Sequence, residues 1–130
     1  MNKAIALALG LLLLGSPKLS AQTMIQKNNI KLSSDLMTPE ALWAMGRIGG
    51  AVVSPDGKQV VYQVSYYSVK ENKSHTMLFV QSTNKVKPVS LTTDAISETD
   101  PAWIDGGKKI AFLREGQLWT INPNGSDRVK

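Results

Sequence analysis

Two stretches of the chain repeat one another, and this repetition restricts the possible folds more than any other feature. Gly57-Lys58-Gln59-Val60-Val61-Tyr62 followed by Leu78-Phe79-Val80 recurs as Gly107-Lys108-Lys109-Ile110-Ala111-Phe112 followed by Leu118-Trp119-Thr120. Self-similarity at a period of roughly forty to fifty residues, with β-type alternation inside each copy, is the pattern of a β-propeller blade. A blade hides its apolar faces only against neighbouring blades, so about three or more repeats are needed for stability. The expectation is an all-β fold, an incomplete β-propeller of about two four-stranded blades, and hence the front end of something larger.

The expected organisation is a signal peptide over 1–21, a linker over 22–37, a short helix over 38–48, one blade over 49–92 and a second, truncated blade over 93–130. Lys3 supplies a positive start, Ala4 to Gly15 is an apolar and glycine run, and Ser20-Ala21 offers small residues for cleavage. An apolar stretch of about a dozen residues is too short to span a bilayer comfortably. The reading is therefore an exported chain, periplasmic or secreted, with no stable membrane insertion after cleavage. Removing 1–21 takes away Lys3 and Lys18, leaving 13 basic residues against 10 acidic ones, so the net charge falls from +5 to +3. With its lysines scattered through loops, such a chain is not expected to bind nucleic acid. The absence of cysteine excludes disulfides, a thiol nucleophile and cysteine-based zinc sites.

Thr38-Pro39-Glu40 opens the helix: a hydroxyl at the N-cap, proline at the first helical position and a carboxylate beside the positive end of the dipole. Gly46 or the Gly49-Gly50 pair ends it, and Trp43 is expected in the core. Ala51-Val52-Val53 then reads as a short strand, Ser54-Pro55-Asp56-Gly57 as a turn and Lys58 to Tyr67 as a longer strand. Val60, Tyr62, Val64 and Tyr66 share its apolar face, opposite a mixed face of Val61, Gln63, Ser65 and Tyr67. Ser68 to Ser74 reads as a polar loop, His75 to Gln81 as the third strand, and Val86 to Thr92 as an outer fourth strand in which Pro88 needs no ladder partner. In the second unit Asp100 to Ile104 is the inner strand, Asp105-Gly106-Gly107 the turn, and Asn122-Pro123-Asn124-Gly125 a turn leading to a fourth strand that starts at Arg128-Val129-Lys130.

Ser54-Pro55-Asp56-Gly57-Lys58 before an apolar strand, Asp100-Pro101-Ala102-Trp103 leading to Gly107-Lys108-Lys109-Ile110-Ala111-Phe112, and then Leu118-Trp119 and Asn122-Pro123-Asn124-Gly125-Ser126 resemble the SPDGK-type propeller repeat. That repeat is shared by TolB-like proteins and prolyl oligopeptidase family serine peptidases. The lead-in of signal peptide, spacer, Leu36-Met37-Thr38-Pro39-Glu40 and Arg47-Ile48 resembles the start of secreted bacterial dipeptidyl peptidases of that family, including the dipeptidyl peptidase 5-like branch. The resemblance covers residue 36 onward and departs from the pattern at Ile104-Asp105-Gly106-Gly107, where Ser-Pro-Asp-Gly is usual. It implies a propeller that gates peptide access to a C-terminal α/β-hydrolase domain carrying the serine, aspartate and histidine of the triad. The alternative is a non-enzymatic TolB-like periplasmic propeller that binds proteins.

No residue of the chain reads as catalytic, cofactor-binding or metal-ligating, and peptides are expected as partners only through a catalytic domain outside it. No Gly-x-Ser-x-Gly occurs, and the one histidine, His75, reads as a surface or edge residue. Asp94, Glu98 and Asp100 lack the ligand spacing of a calcium loop and read as a solvated connection, with Asp100 bonding local backbone. Gly49-Gly50 and Gly106-Gly107 read as turns, without the Gly-Lys-Ser/Thr run of a phosphate cradle. Trp103 and Trp119 read as blade core. Asn72-Lys73-Ser74 is formally a glycosylation sequon to which no role is assigned. A piece of this kind is expected to fold marginally and to aggregate through an open sheet edge.

Overall fold

The computed structural model describes residues 23–31 and 35–130. The expected signal peptide lies outside the described residues. Among the described residues one α-helix, α1 (Pro39–Ala44), precedes seven strands: β1 (Arg47–Val53), β2 (Gln59–Ser68), β3 (Lys73–Ser82), β4 (Val89–Ser90), β5 (Glu98–Ile104), β6 (Lys109–Arg114) and β7 (Gln117–Ile121). They form two antiparallel sheets, β1-β2-β3-β4 and β5-β6-β7, each built from strands consecutive in sequence. Among the described residues no helix is long and apolar enough to cross a membrane.

Local chemistry sets the ends of α1. Thr38 Oγ1 accepts the Ala41 N–H at 3.2 Å, satisfying one of the donors that a helix start leaves open. The helix is shorter than the expected 38–48, because Met45 is already extended and Arg47 and Ile48 pair with Ser65 and Val64 in the sheet. Gly46 makes this exit possible: a Cβ there would lie 2.6 Å from Tyr66 Cε1 and 2.7 Å from Val64 Cγ1.

The Ser54–Gly57 turn is held by its own side chains. The Ser54 hydroxyl donates to Asp56 Oδ1 (2.6 Å) and accepts the Gln59 N–H (2.9 Å), while Asp56 Oδ1 also accepts the Lys58 N–H (3.1 Å). These bonds, the one from Ser54 first, hold the Asp56 carboxyl below its ordinary value.

Two expected boundaries change. Tyr66, Tyr67 and Ser68 pair with His75, Ser74 and Lys73, so both ends of the supposed Ser68–Ser74 loop lengthen a hairpin and only residues 69–72 remain as its turn. The fourth strand is reduced to Val89–Ser90, directly after Pro88, which has no N–H to give to a ladder. In the second sheet the chain returns as expected after the 122–125 turn: Thr120 and Val129 exchange backbone bonds of 2.7 and 2.9 Å.

The core lies between the sheets, where Val61, Leu78, Val80 and Leu91 meet Ile110, Phe112 and Ile121, with Trp103 and Trp119 packed partly buried against them. The mixed face of β2 therefore meets the second sheet. Its apolar face, with Tyr62, Val64 and Tyr66, points the other way, partly covered by α1 and residues 27–30, which line a cleft of about 510 Å³ with it.

Both copies share an unusual local feature. β1 carries a bulge between Gly49 and Val52 with Gly50 at φ 56°, and β5 carries one between Thr99 and Ala102 with Asp100 at φ 53°. The two left-handed residues lie fifty positions apart, as do Gly57 and Gly107 at the following turns. The repeat thus extends to backbone conformation, including at Asp100, where the residue type differs from glycine.

Candidate functional site: the seam between the sheets

The seam is built where β5 packs on the first sheet. Gln63 lies between the two bulges: its side chain would sit 3.2 Å from a Cβ on Gly50, and its Oε1 accepts the Asp100 N–H at 2.9 Å. A side chain at position 50 would strain the backbone and displace this amide. The Trp103 indole N–H donates to the Val52 carbonyl at 2.9 Å, so both inner strands are tied across the seam.

At one end of the seam four charged groups close on each other. Glu98 is 0% exposed, and its Oε1 accepts from Arg114 Nη1 at 2.9 Å and from Arg128 Nη1. Its Oε2 accepts the Thr92 hydroxyl at 2.7 Å, and the same hydroxyl accepts the Leu78 N–H at 2.9 Å. Arg114 also forks onto Asp94, with bonds of 2.7 and 3.1 Å, and Arg128 Nη2 donates to the Leu91 carbonyl at 2.6 Å. The Arg114 hydrogen bond holds the Asp94 carboxyl below its ordinary value, and the Asp94 bond in turn raises Arg114 further.

For Glu98 this overturns the expectation of a solvated acidic connection, whereas Asp94 and Asp100 are exposed. Of the three acids, Asp94 is half exposed and accepts the Ile96 N–H at 3.0 Å, Glu98 is buried, and Asp100 accepts from the Thr99 hydroxyl at 2.9 Å instead of from local backbone. The physical reason is cross-strand register: Glu98 stands opposite Arg114, and the chain after the 122–125 turn delivers Arg128 to the same carboxylate. A signal was present in the repeat itself. Fifty positions earlier stand Ile48 and Val64, also paired with each other, so two apolar positions of the first copy are occupied by opposite charges in the second.

His75 is not a surface residue; it is 2% exposed. Its Nδ1 lies 3.0 Å from the Ile25 carbonyl oxygen and its Nε2 3.4 Å from that of Ile96. Both ring nitrogens face backbone, which leaves neither in place to activate a hydroxyl. Trp43, expected in the core, is 41% exposed. It stands edge-on to Tyr67 at 5.5 Å, and the Arg47 guanidinium sits over both rings at 4.6 and 4.7 Å. Among the described residues no group of acids and histidine is placed to hold a metal ion. The arrangement positions one sheet on another.

No protein-family model matches the chain. Two curated proteins do. The chain is 44% identical over 99 residues to dipeptidyl-peptidase 5 of Porphyromonas endodontalis, covering 73% of this chain and 14% of that protein. It is 35% identical over 113 residues to dipeptidyl-peptidase 5 of Porphyromonas gingivalis, covering 87% of this chain and 16% of that protein. The chain is homologous to dipeptidyl peptidases. It corresponds to a small part of these relatives' length, so the seam and the dipeptidyl peptidase relationship are two separate findings about one short stretch of such proteins.

Proposed function

We propose that this chain is the N-terminal propeller portion of a secreted serine-type dipeptidyl peptidase of the prolyl oligopeptidase type. Its two sheets serve as the first two blades, and the chain's role is architectural. It helps to shape and gate the route by which peptides reach an α/β-hydrolase domain carried elsewhere in the polypeptide. The leader over 1–21 accounts for export.

One observation carries the propeller part of this reading. Positions equivalent in the repeat point the same way in both sheets. Ile110 and Phe112 face the first sheet, while Val60 and Tyr62, fifty positions earlier, face away from the second. The sheets are thus stacked head to tail rather than about a two-fold axis, and a head-to-tail contact can be repeated until it closes into a ring. The named relatives support the peptidase part.

The test is to express the natural polypeptide that contains this chain together with all sequence encoded after it, and to assay release of dipeptides from chromogenic dipeptidyl amides. Serine-reagent-sensitive dipeptide release is expected. A product of further repeat units with no amidase activity would replace the proposal by the TolB-like, protein-binding alternative.

A further inference from the structure

The turn over 122–126 places an electrophile, a nucleophile and two donors for a developing oxyanion side by side. Asn124 is followed by Gly125, the one Asn-Gly pair in the chain. Gly125 brings no side chain to shield its backbone nitrogen, and a Cβ built on it would meet nothing within 4 Å. The Asn124 side-chain carbonyl is polarised twice: its Oδ1 accepts the Ser126 N–H at 3.0 Å and the Ser126 hydroxyl at 2.8 Å. That hydroxyl in turn accepts from Asn122 Nδ2 at 3.0 Å, and a donor in such a chain is strengthened by the bond it receives. Residues 124–126 are exposed, so water reaches the site.

We propose that Asn124 deamidates spontaneously through a succinimide, with Ser126 stabilising the step, and that the product uncouples Arg128 from Glu98. The Gly125 nitrogen, its proton taken by hydroxide, attacks Asn124 Cγ. The new N–Cγ bond puts negative charge on Oδ1, where both Ser126 donors already point. The charge collapses back, the Cγ–Nδ2 bond breaks, and Nδ2 leaves as ammonia after taking a proton from water, which restores the hydroxide. Water then opens the ring at either carbonyl. It gives aspartate or, where the Asn124–Gly125 peptide bond is the one cut, an isoaspartyl link that runs the main chain through Cγ. The net change converts a side-chain amide and water into a carboxylate and ammonium. The Gly125 N–H is bonded to the Asn122 carbonyl at 2.9 Å, so closure follows the opening of this single turn bond. No other asparagine has the set: Asn122 precedes Pro123, which has no N–H, and the rest precede residues with side chains. At Asp56-Gly57 the ring would have to close on a carboxyl that its hydrogen bonds keep charged.

The product matters because the turn aims the segment behind it. Thr120 and Val129 exchange backbone bonds just beyond it, and Arg128 reaches Glu98 and the Leu91 carbonyl from the same stretch. An isoaspartyl link adds a methylene to the main chain, removes the amide that caps Ser126 and sets a new carboxylate near Asp127, which breaks the register of 126–129 against β7. All reacting atoms lie within 122–126, so the inference is independent of the proposed function.

The full chain is incubated in mildly alkaline buffer and digested for mass spectrometry, with fragment ions that separate isoaspartyl from aspartyl. Asn124 should convert ahead of every other asparagine, and Asn124→Gln should stay intact over the same period. Ser126→Ala should slow the conversion about threefold to tenfold, less than the loss of an enzyme's oxyanion donor because water partly replaces the hydroxyl, and Ser126→Thr should restore it. In the isoaspartyl fraction the Thr120 and Val129 amides should lose exchange protection while those of β2 and β3 keep theirs. An Asn124 that stays intact, or a Ser126→Ala chain that converts as fast as the parent, would overturn the site. Preserved protection of Thr120 and Val129 in the isoaspartyl fraction would overturn the uncoupling of Arg128.

Discussion

The indole N–H of Trp103 donates to the carbonyl of Val52 across 2.9 Å, joining β5 of one sheet to β1 of the other. Since both strands have bulges at equivalent positions, this bond fixes how the two copies sit against each other as well as satisfying a polar atom. Trp103→Phe keeps most of the ring and removes the donor. The expected cost is about 1 kcal/mol, the net value of one hydrogen bond, measured as a lower urea midpoint with an unchanged slope.

Glu98 offers a larger effect. Neutralising it leaves Arg114 and Arg128 facing each other without their shared carboxylate, so Glu98→Gln should destabilise by about 3–5 kcal/mol, as expected when one partner of a buried pair is removed. Replacing the set together, with Glu98→Ile and Arg114→Val to match Ile48 and Val64 of the first copy and Arg128→Met, should cost less than the single change. Denaturant titration of both variants checks the order.

Acid should loosen the fold through Asp56 and Asp94. Both carboxyls are held below the ordinary 3.8 by hydrogen bonds that favour their charged forms. Their contribution is therefore complete above that value and is lost as pH falls below it through the folded-state values. Stability plotted against pH should decline below about pH 4, and Asp94→Asn should flatten that decline. A decline of equal steepness in the variant would count against the Arg114 contact as its source.

Gly46 is held to glycine by space and not by backbone sign. A methyl there meets Tyr66 and Val64 inside 3 Å. Gly46→Ala should cost about 1–3 kcal/mol, the range for overpacking, and should shift the Tyr66 and Val64 resonances while leaving those of the second sheet in place.

What could be read in the sequence was what local chemistry decides. The Thr38-Pro39-Glu40 helix start, the Ser54–Gly57 and Asn122–Gly125 turns and the hairpin periodicity are set by neighbouring residues, and each appears where expected. What could not be read depends on contacts remote in sequence. Val61 belongs to the core because Ile110 and Phe112 arrive against its face, although Gln63 and Ser65 make that face look polar. Polar composition made Ser68–Ser74 look like a loop, yet Tyr66 and Tyr67 draw their partners into strand pairing. His75 is buried by carbonyls of Ile25 and Ile96, fifty positions upstream and twenty-one downstream, and no pattern around it announces them. At the seam, Trp103 and Trp119 were legible from their repeat positions, whereas the Glu98 cluster became visible only with the register.

The account rests on the claim that β1–β4 and β5–β7 are two copies of one unit stacked in the same sense, with room for more. An experimental structure of the natural polypeptide, including everything encoded after this chain, measures that directly. The prediction is that further sheets continue the rotation from the Leu113–Leu118 face and that the last of them covers Tyr62 and Val64. A structure in which those two faces are covered by something other than sheets of the same unit, or in which the two copies meet through equivalent faces, would contradict it.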